Sequence, residues 1–262
     1  MNDSPFVSVT DRGPVRWLML RQPSRKNAVP GHGWDELTLA LGDFAGSPQR
    51  VLVIKGAGDD FCSGADLNLD DVDAMRSPAT SREYMRGPGT AATALHRLAK
   101  PTVAAVDGVA IGAGMNLAIG CDIVIATTRA RFAEIFVKRG LTLDFGGTWL
   151  LPRLIGMARA RDLALTGRTV GAEEALEIGL VSRVVDPDQL EGVAAVIAEE
   201  LTSGAPVAQR FIKTGLSRSL DMTFEQAISY EDQAQATLLA SDDFREGVAA
   251  FLGKRDSDFK GQ

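Results

Sequence analysis

The chain has 262 residues, 45% of them hydrophobic and 24% charged, enough apolar side chains to bury a substantial core and enough charge to stay in water. Its 28 basic and 34 acidic residues leave a net charge of -6, which argues against a general binder of nucleic acid or of anionic membrane. Two cysteines, Cys62 and Cys121, are too few for a disulfide scaffold, and with His32 and His96 far apart no metal site is expected.

The N-terminus, MNDSPFVSV, has no basic segment leading into a long apolar run, so no secretory signal is read and a cytoplasmic protein is expected. FVSVT and VRWLML flank Asp11-Arg12-Gly13-Pro14, the pattern of a β-hairpin. Trp34, Leu37, Leu41 and Phe44 recur at helical spacing. VLVIK (51–55) reads as a fully buried strand running into the glycine-rich GAGDDFCSGADL. A helix is predicted over 81–100, disturbed by Pro88, then a buried strand TVAAV (102–106), a small-residue helix over 108–120, and a strand DIVIAT (122–127). The apolar run VAIGAGMNLAIGCDIVIA contains Asn116 and Asp122 and is read as helix then strand, not as a membrane span. Strands alternating with helices imply parallel pairing through crossover helices.

Beyond this, 146–165 reads as one or two helices broken near Pro152 and Gly156, 172–178 as a short helix ended by Gly179, and LVSRVV as a strand. Helices over 188–203, 206–219 and 222–252 close the chain. The expected organisation is an α/β core over 1–200 followed by a helical subdomain over 201–262. Neither Gly56-x-Gly58 nor Gly112-x-Gly114 completes G-x-G-x-x-G, because Phe61 and Leu117 stand at the third position, so a dinucleotide site is not favoured.

Four segments in fixed order carry a resemblance: FCSGADL (61–67), PTVAAVDGVAIGAGMNLAIGCDIVIA (101–126), KRGLTLDFGGTWLLPRLIG (138–156) and DDFREGVAAFLGKRDSDF (242–259). Together they resemble the crotonase superfamily of enoyl-CoA hydratases and isomerases. The resemblance implies a crotonase-like ββα spiral core with a C-terminal helical subdomain. It also implies an acyl-CoA thioester substrate, with coenzyme A arriving as part of that substrate and no separate cofactor, and a homotrimer or hexamer. The family holds the thioester oxygen with two main-chain N–H groups, which the resemblance places at Ser63 and Ala113, with Gly64 and Gly112 beside them. Such fixed donors stabilise developing negative charge without reorganising.

Classical hydratases of the family carry two glutamates, at positions that here hold Asn116 and Phe136. Neither is an acid or base, and Glu134 would need a two-residue shift to substitute. Asp144, in LDFGGTW, resembles the carboxylate of the isomerase members, those that move a double bond and those that open a ring epoxide. One carboxylate can shuttle a proton between C2 and C4 through a dienolate. Phe136, Leu141, Leu143 and Phe145 are the expected apolar wall that makes it a stronger base. An N-cap role for Asp144 is the structural alternative. Asn116 either meets substrate or is satisfied within its helix. Dehalogenase chemistry is disfavoured by Phe136 and by the residues near Thr93. For coenzyme A, the resemblance points to Arg25, Lys26 and Ala28 in SRKNAV, to Ala65, Asp66 and Leu67, and to Lys254 and Phe259 in the tail. A hydratase and a non-catalytic acyl-CoA-binding protein are the competing readings.

Overall fold

The structure is a computed structural model, and it describes residues 5–67, 73 and 75–262. Strands β1 (Val7–Arg12) and β2 (Val15–Leu20) pair antiparallel, with Gly13 taking a positive φ of 59° in the turn. β2 then pairs in parallel with β3 (Val51–Gly56), which is followed across the sheet by β4 (Thr102–Val106), β6 (Ile123–Thr127) and β9 (Arg183–Val185). The middle strands carry unbroken runs of four apolar residues, VLVI in β3 and VAAV in β4, because both faces of the sheet are covered. On one face Leu18, Leu52, Ile54, Ala104 and Val106 join the side chains of helices α1 (Gly33–Gly46), α2 (Pro78–His96) and α3 (Ala113–Ile119). On the other, Trp17, Val53, Val103 and Ile125 pack against Ala194 and Ile197 of helix α6 (Leu190–Ser203).

A second, three-stranded sheet has no counterpart among the elements the sequence pattern predicts. Val109–Ile111 (β5) pairs with Arg131–Ala133 (β7), which pairs with Thr169–Gly171 (β8). The expected helix over 108–120 is therefore corrected. Its first part is β5, and only Ala113–Ile119 is helical, because Gly112 at φ 56°, ψ -125° lies outside helical space. Three-residue strands are too short to show a period of two.

Helix α4 (Gly147–Thr166) is interrupted at Gly156, while Pro152 stays within its first segment. It is followed by α5 (Ala172–Glu177). The chain ends in α7 (Pro206–Arg218), α8 (Phe224–Leu239) and α9 (Asp242–Gly253). The single helix expected over 222–252 is two, divided where Ser241 accepts the Phe244 N–H at 3.1 Å and caps α9. Lys213 ties α7 to the core by donating to the Lys100 carbonyl (3.0 Å) and to Asp122 (2.7 Å). Among the described residues no helix is long and apolar enough to cross a membrane.

Candidate active site

The loop after β3 is pinned from below. Asn27, fully buried with a positive φ of 53°, donates to the carbonyls of Ala57 (2.9 Å) and Asp60 (2.6 Å) and accepts the Gln22 N–H (2.9 Å). Beyond it the chain runs past two partners in succession. Cys62 bridges Ala110 of β5, and Ala65 bridges Val29. Burial pushes the Cys62 thiol up to about 12, so it is no nucleophile.

This register corrects one expectation. The Ser63 N–H points to the 22–29 loop and donates to the Lys26 carbonyl at 2.9 Å, while its hydroxyl donates to the Arg25 carbonyl at 3.0 Å. A donor already engaged in the scaffold cannot grip a substrate oxygen. Two residues on, Val29 donates to the Gly64 carbonyl and accepts from the Asp66 N–H, both at 2.8 Å. That alternation turns the Ala65 N–H to the opposite side, and no acceptor among the described residues meets it. Gly64 (φ 93°) lies there against α3: a Cβ on it would stand 2.9 Å from the Ile111 carbonyl and 3.7 Å from the Ala113 nitrogen. Ala113 opens α3, so its N–H has no intrahelical acceptor. Among the described residues, Ala65 and Ala113 thus present two unengaged N–H groups on either side of this close approach.

Asp144 approaches from the segment before α4. Its own carbonyl accepts the Gly147 N–H (2.9 Å) and the Asn116 Nδ2 (3.0 Å). The N-cap of α4 is Gly146, without a side-chain cap, so the capping alternative for Asp144 does not hold. Phe145, at φ 47°, and Gly146, at φ 83°, reverse the chain into the helix. A left-handed phenylalanine costs about 1–2 kcal/mol, offset by burying its ring 5.7 Å from that of Trp34. Phe136 and Phe145 are buried, and the former lies over Gly112, 3.4 Å from where a Cβ there would sit. Leu141 is exposed and supplies no wall, a second correction. The Asp144 carboxyl, with Oδ1 buried and unpartnered, is pushed up to about 6 by desolvation.

Asn116 and Glu134 are both fully buried behind it, Asn116 Nδ2 lying 3.4 Å from Glu134 Oε2. Glu134 is pushed up to about 8, by burial first and by the charge of Asp144 second. Asp144 ionises before it, so the burden falls on Glu134. In sequence Glu134 stands two residues out of register with Phe136, and nothing local marks it as part of the site. Its burial follows from β7, the strand whose end it continues.

The coenzyme A candidates divide. Arg25 pairs with Asp66 at 2.6 Å, and Asp66 also accepts from Gln22 Nε2 (2.8 Å). Lys26 reaches Asp60 at 3.7 Å, Ala28 is buried beneath, and Leu67 is exposed. These line the same edge as Ala65. Lys254 and Phe259 are not brought there within one chain. Lys254 ends α9 in a left-handed conformation, and the Phe259 carbonyl accepts from Arg50 (3.5 Å), at the opposite end of β3. A separate cavity of about 240 Å³, lined by Trp17, Lys55, Asp59, Asp107, Arg129 and Glu191, lies on the α6 side. Its ions pair with one another: Arg129 with Asp59 and Asp107, Lys55 with Glu191.

Fold and site together define a crotonase-type α/β protein. The chain belongs to the enoyl-CoA hydratase/isomerase family, whose model matches residues 12–262. It is 38% identical over 263 residues to the 1,2-epoxyphenylacetyl-CoA isomerase of Escherichia coli (strain K12), covering 98% of each. It is also 32% identical over 255 residues to a short-chain-enoyl-CoA hydratase of Clostridium acetobutylicum, covering 95% of each. A crystal structure of an enoyl-CoA hydratase from Bacillus anthracis superimposes with a TM-score of 0.93 at 32% identity, over 98% of this chain and all of that one.

Proposed function

We propose that the protein is an acyl-CoA isomerase in which Asp144 is the general base and the N–H groups of Ala65 and Ala113 hold the thioester oxygen. The observation that carries this is the count of carboxylates. Asp144 is a desolvated acid group with an unpartnered oxygen, while Asn116 and Phe136 occupy the positions of a hydratase's glutamate pair. The thioester carbonyl accepts from both N–H groups, which acidifies the C2 proton. Asp144 removes that proton, and the negative charge moves onto the oxygen between the two donors. The protonated Asp144 then returns the proton at C4, shifting the double bond, or to the oxygen of an opening ring epoxide. The Phe136 and Phe145 rings keep water from the dienolate. Likeness to the isomerase from E. coli supports this reading.

The hydratase alternative is favoured by the names of several relatives and by the presence of a second carboxyl, Glu134. Against it, Glu134 is fully buried and its Oε2 lies 3.4 Å from Asn116 Nδ2. Turnover of a 3-enoyl-CoA to the 2-enoyl isomer, measured beside water addition to crotonyl-CoA, tests the choice: faster hydration overturns it. The Arg25–Asp66 edge, with Lys26, Ala28 and Leu67, is proposed to receive coenzyme A. Phe224, Phe251 and Leu252 are exposed on α8 and α9, and a second copy covering them would make a homo-oligomer, the assembly through which Lys254 and Phe259 could reach a neighbouring site.

Because the base must be ionised, kcat/KM should rise with pH through an apparent pKa near the value of about 6 held by Asp144, and fall about tenfold per unit below it. A pH–rate profile between pH 4.5 and 8 checks this. An acid limb centred near 4 would mean that the base is an ordinary, solvated carboxylate.

A further inference from the structure

Buried side-chain atoms without a hydrogen-bond partner include three from one cluster: Asn116 Oδ1, Glu134 Oε1 and Asp144 Oδ1. All three are acceptors if both carboxyls are ionised, and the donor among them is the Asn116 amide. Its Nδ2 already serves the Asp144 carbonyl at 3.0 Å and lies 3.4 Å from Glu134 Oε2. The cluster is short of a hydrogen, and unpaired buried acceptors are costly.

A proton on Glu134 supplies it. A carboxylic acid and an amide pair through two hydrogen bonds, amide N–H to acid oxygen and acid O–H to amide oxygen. The contact already present, Nδ2 with Oε2, is the first of these, and the two orphaned atoms, Oε1 and Oδ1, are those the second would join. Among the described residues no positive group favours ionisation instead. From α3 the facing group is the uncharged Asn116, from the segment before α4 it is Asp144, and from the turn after α4 it is Gly167, which lies against the Glu134 main chain and the stem of Lys138. Arg168, next in the chain, is committed to Asp162 and Glu174.

We propose that Glu134 is a neutral carboxylic acid that positions the Asp144 base through Asn116, and that loss of its proton closes the working pH range from the alkaline side. This rests on the reading of Asp144 as the base. With the proton present, the acid–amide pair fixes the Asn116 amide, and that amide holds the Asp144 carbonyl in the turn closed by the Gly147 N–H. The fit at this point is tight: a Cβ on Gly147 would lie 2.4 Å from Asn116 Nδ2. With the proton lost, Glu134 Oε1 and Asn116 Oδ1 repel. A second negative charge then stands behind Asp144 and opposes the enolate.

The test compares the parent with Glu134→Gln and Glu134→Ala from pH 5 to 10, using a 3-enoyl-CoA. The parent profile should be bell-shaped, losing about tenfold in kcat per unit on the alkaline side. Glutamine can make both hydrogen bonds to Asn116 at any pH, so Glu134→Gln should keep the acid limb and lose the alkaline one. Glu134→Ala should lower kcat about 10- to 100-fold while KM moves far less, as for a group that orients a reacting one. An alkaline limb that persists in Glu134→Gln, or is missing from the parent, overturns the proposal. Thermal melting over the same range needs no turnover. A buried acid holding its proton above its unfolded value loses stability as pH rises from about 4.5 to about 8, so Glu134→Gln should gain on the parent across that window. A constant difference would mean that Glu134 holds no such proton. If Asp144→Asn leaves turnover intact, the base assignment fails and the positioning role falls with it, whatever the melting shows.

Discussion

Asp144→Asn should lower kcat by about 100- to 10,000-fold, the usual worth of a positioned base, while the acyl-CoA thioester still binds. The substitution is isosteric and removes little except the proton acceptor. The structural hydrogen bonds at this residue belong to its main chain, where the carbonyl holds the Gly147 N–H and Asn116 Nδ2, and they survive the change. The side-chain Oδ1 has no partner to lose. Stability should move the other way. The folded pKa is raised to about 6, so the parent loses stability as pH climbs from its unfolded value towards 6 and carries the full cost above it. An uncharged asparagine avoids that cost, and melting at pH 8 should show a gain on the order of 1–3 kcal/mol. Steady-state kinetics, a thioester binding isotherm and a melting curve check the three parts. Unchanged turnover would remove Asp144 from the chemistry, and lost binding with intact chemistry would make it a substrate contact.

How far the sequence carries depends on the length over which a physical pattern repeats. Strands β3, β4 and β6 are legible because each holds a run of four apolar residues covered on both faces. The second sheet is not, because β5, β7 and β8 hold three residues each, and their pairing is set by contacts distant in sequence. The site divides in the same way. Glycine-rich FCSGADL marks a close main-chain approach, but which of its N–H groups is unengaged is a question of register. A bridge between Ala65 and Val29 turns the Ala65 N–H outward and commits Ser63 to Lys26. Asp144 stands out in sequence as a carboxylate before a helix start. The burial of Glu134 does not, since it needs β7 to be a strand. Lys254 and Phe259 lie in a tail segment that carries the resemblance, yet within a single chain Phe259 meets Arg50 at the far end of β3 and Lys254 ends α9. Composition and spacing carry no information on a neighbouring copy.

Gly114→Ala should be the most damaging small substitution beside the two N–H groups proposed to hold the thioester oxygen. A Cβ there would stand 2.2 Å from the Cys62 carbonyl oxygen and 2.8 Å from both its carbon and its Cβ. Most of what it meets is main chain, so no rotamer change relieves the clash. Cys62 cannot yield alone either, because its N–H donates to the Val109 carbonyl and its carbonyl accepts the Ile111 N–H, both at 2.9 Å. The segment carrying Ala65 must therefore move away from the start of α3, which carries Ala113. Two donors aimed at one oxygen tolerate little divergence, and losing one costs about 100- to 1000-fold in rate. Overpacking should cost a further 1–3 kcal/mol or so in stability. Gly42→Ala is the control: Gly42 lies exposed within α1 with open space where its Cβ would be, so alanine there should add about 0.5–1 kcal/mol to stability and leave kcat alone. The comparison separates a general intolerance of glycine replacement from a specific separation of the two N–H groups. A Gly114→Ala protein that melts lower yet turns over at the parental rate would show that the oxygen is held elsewhere.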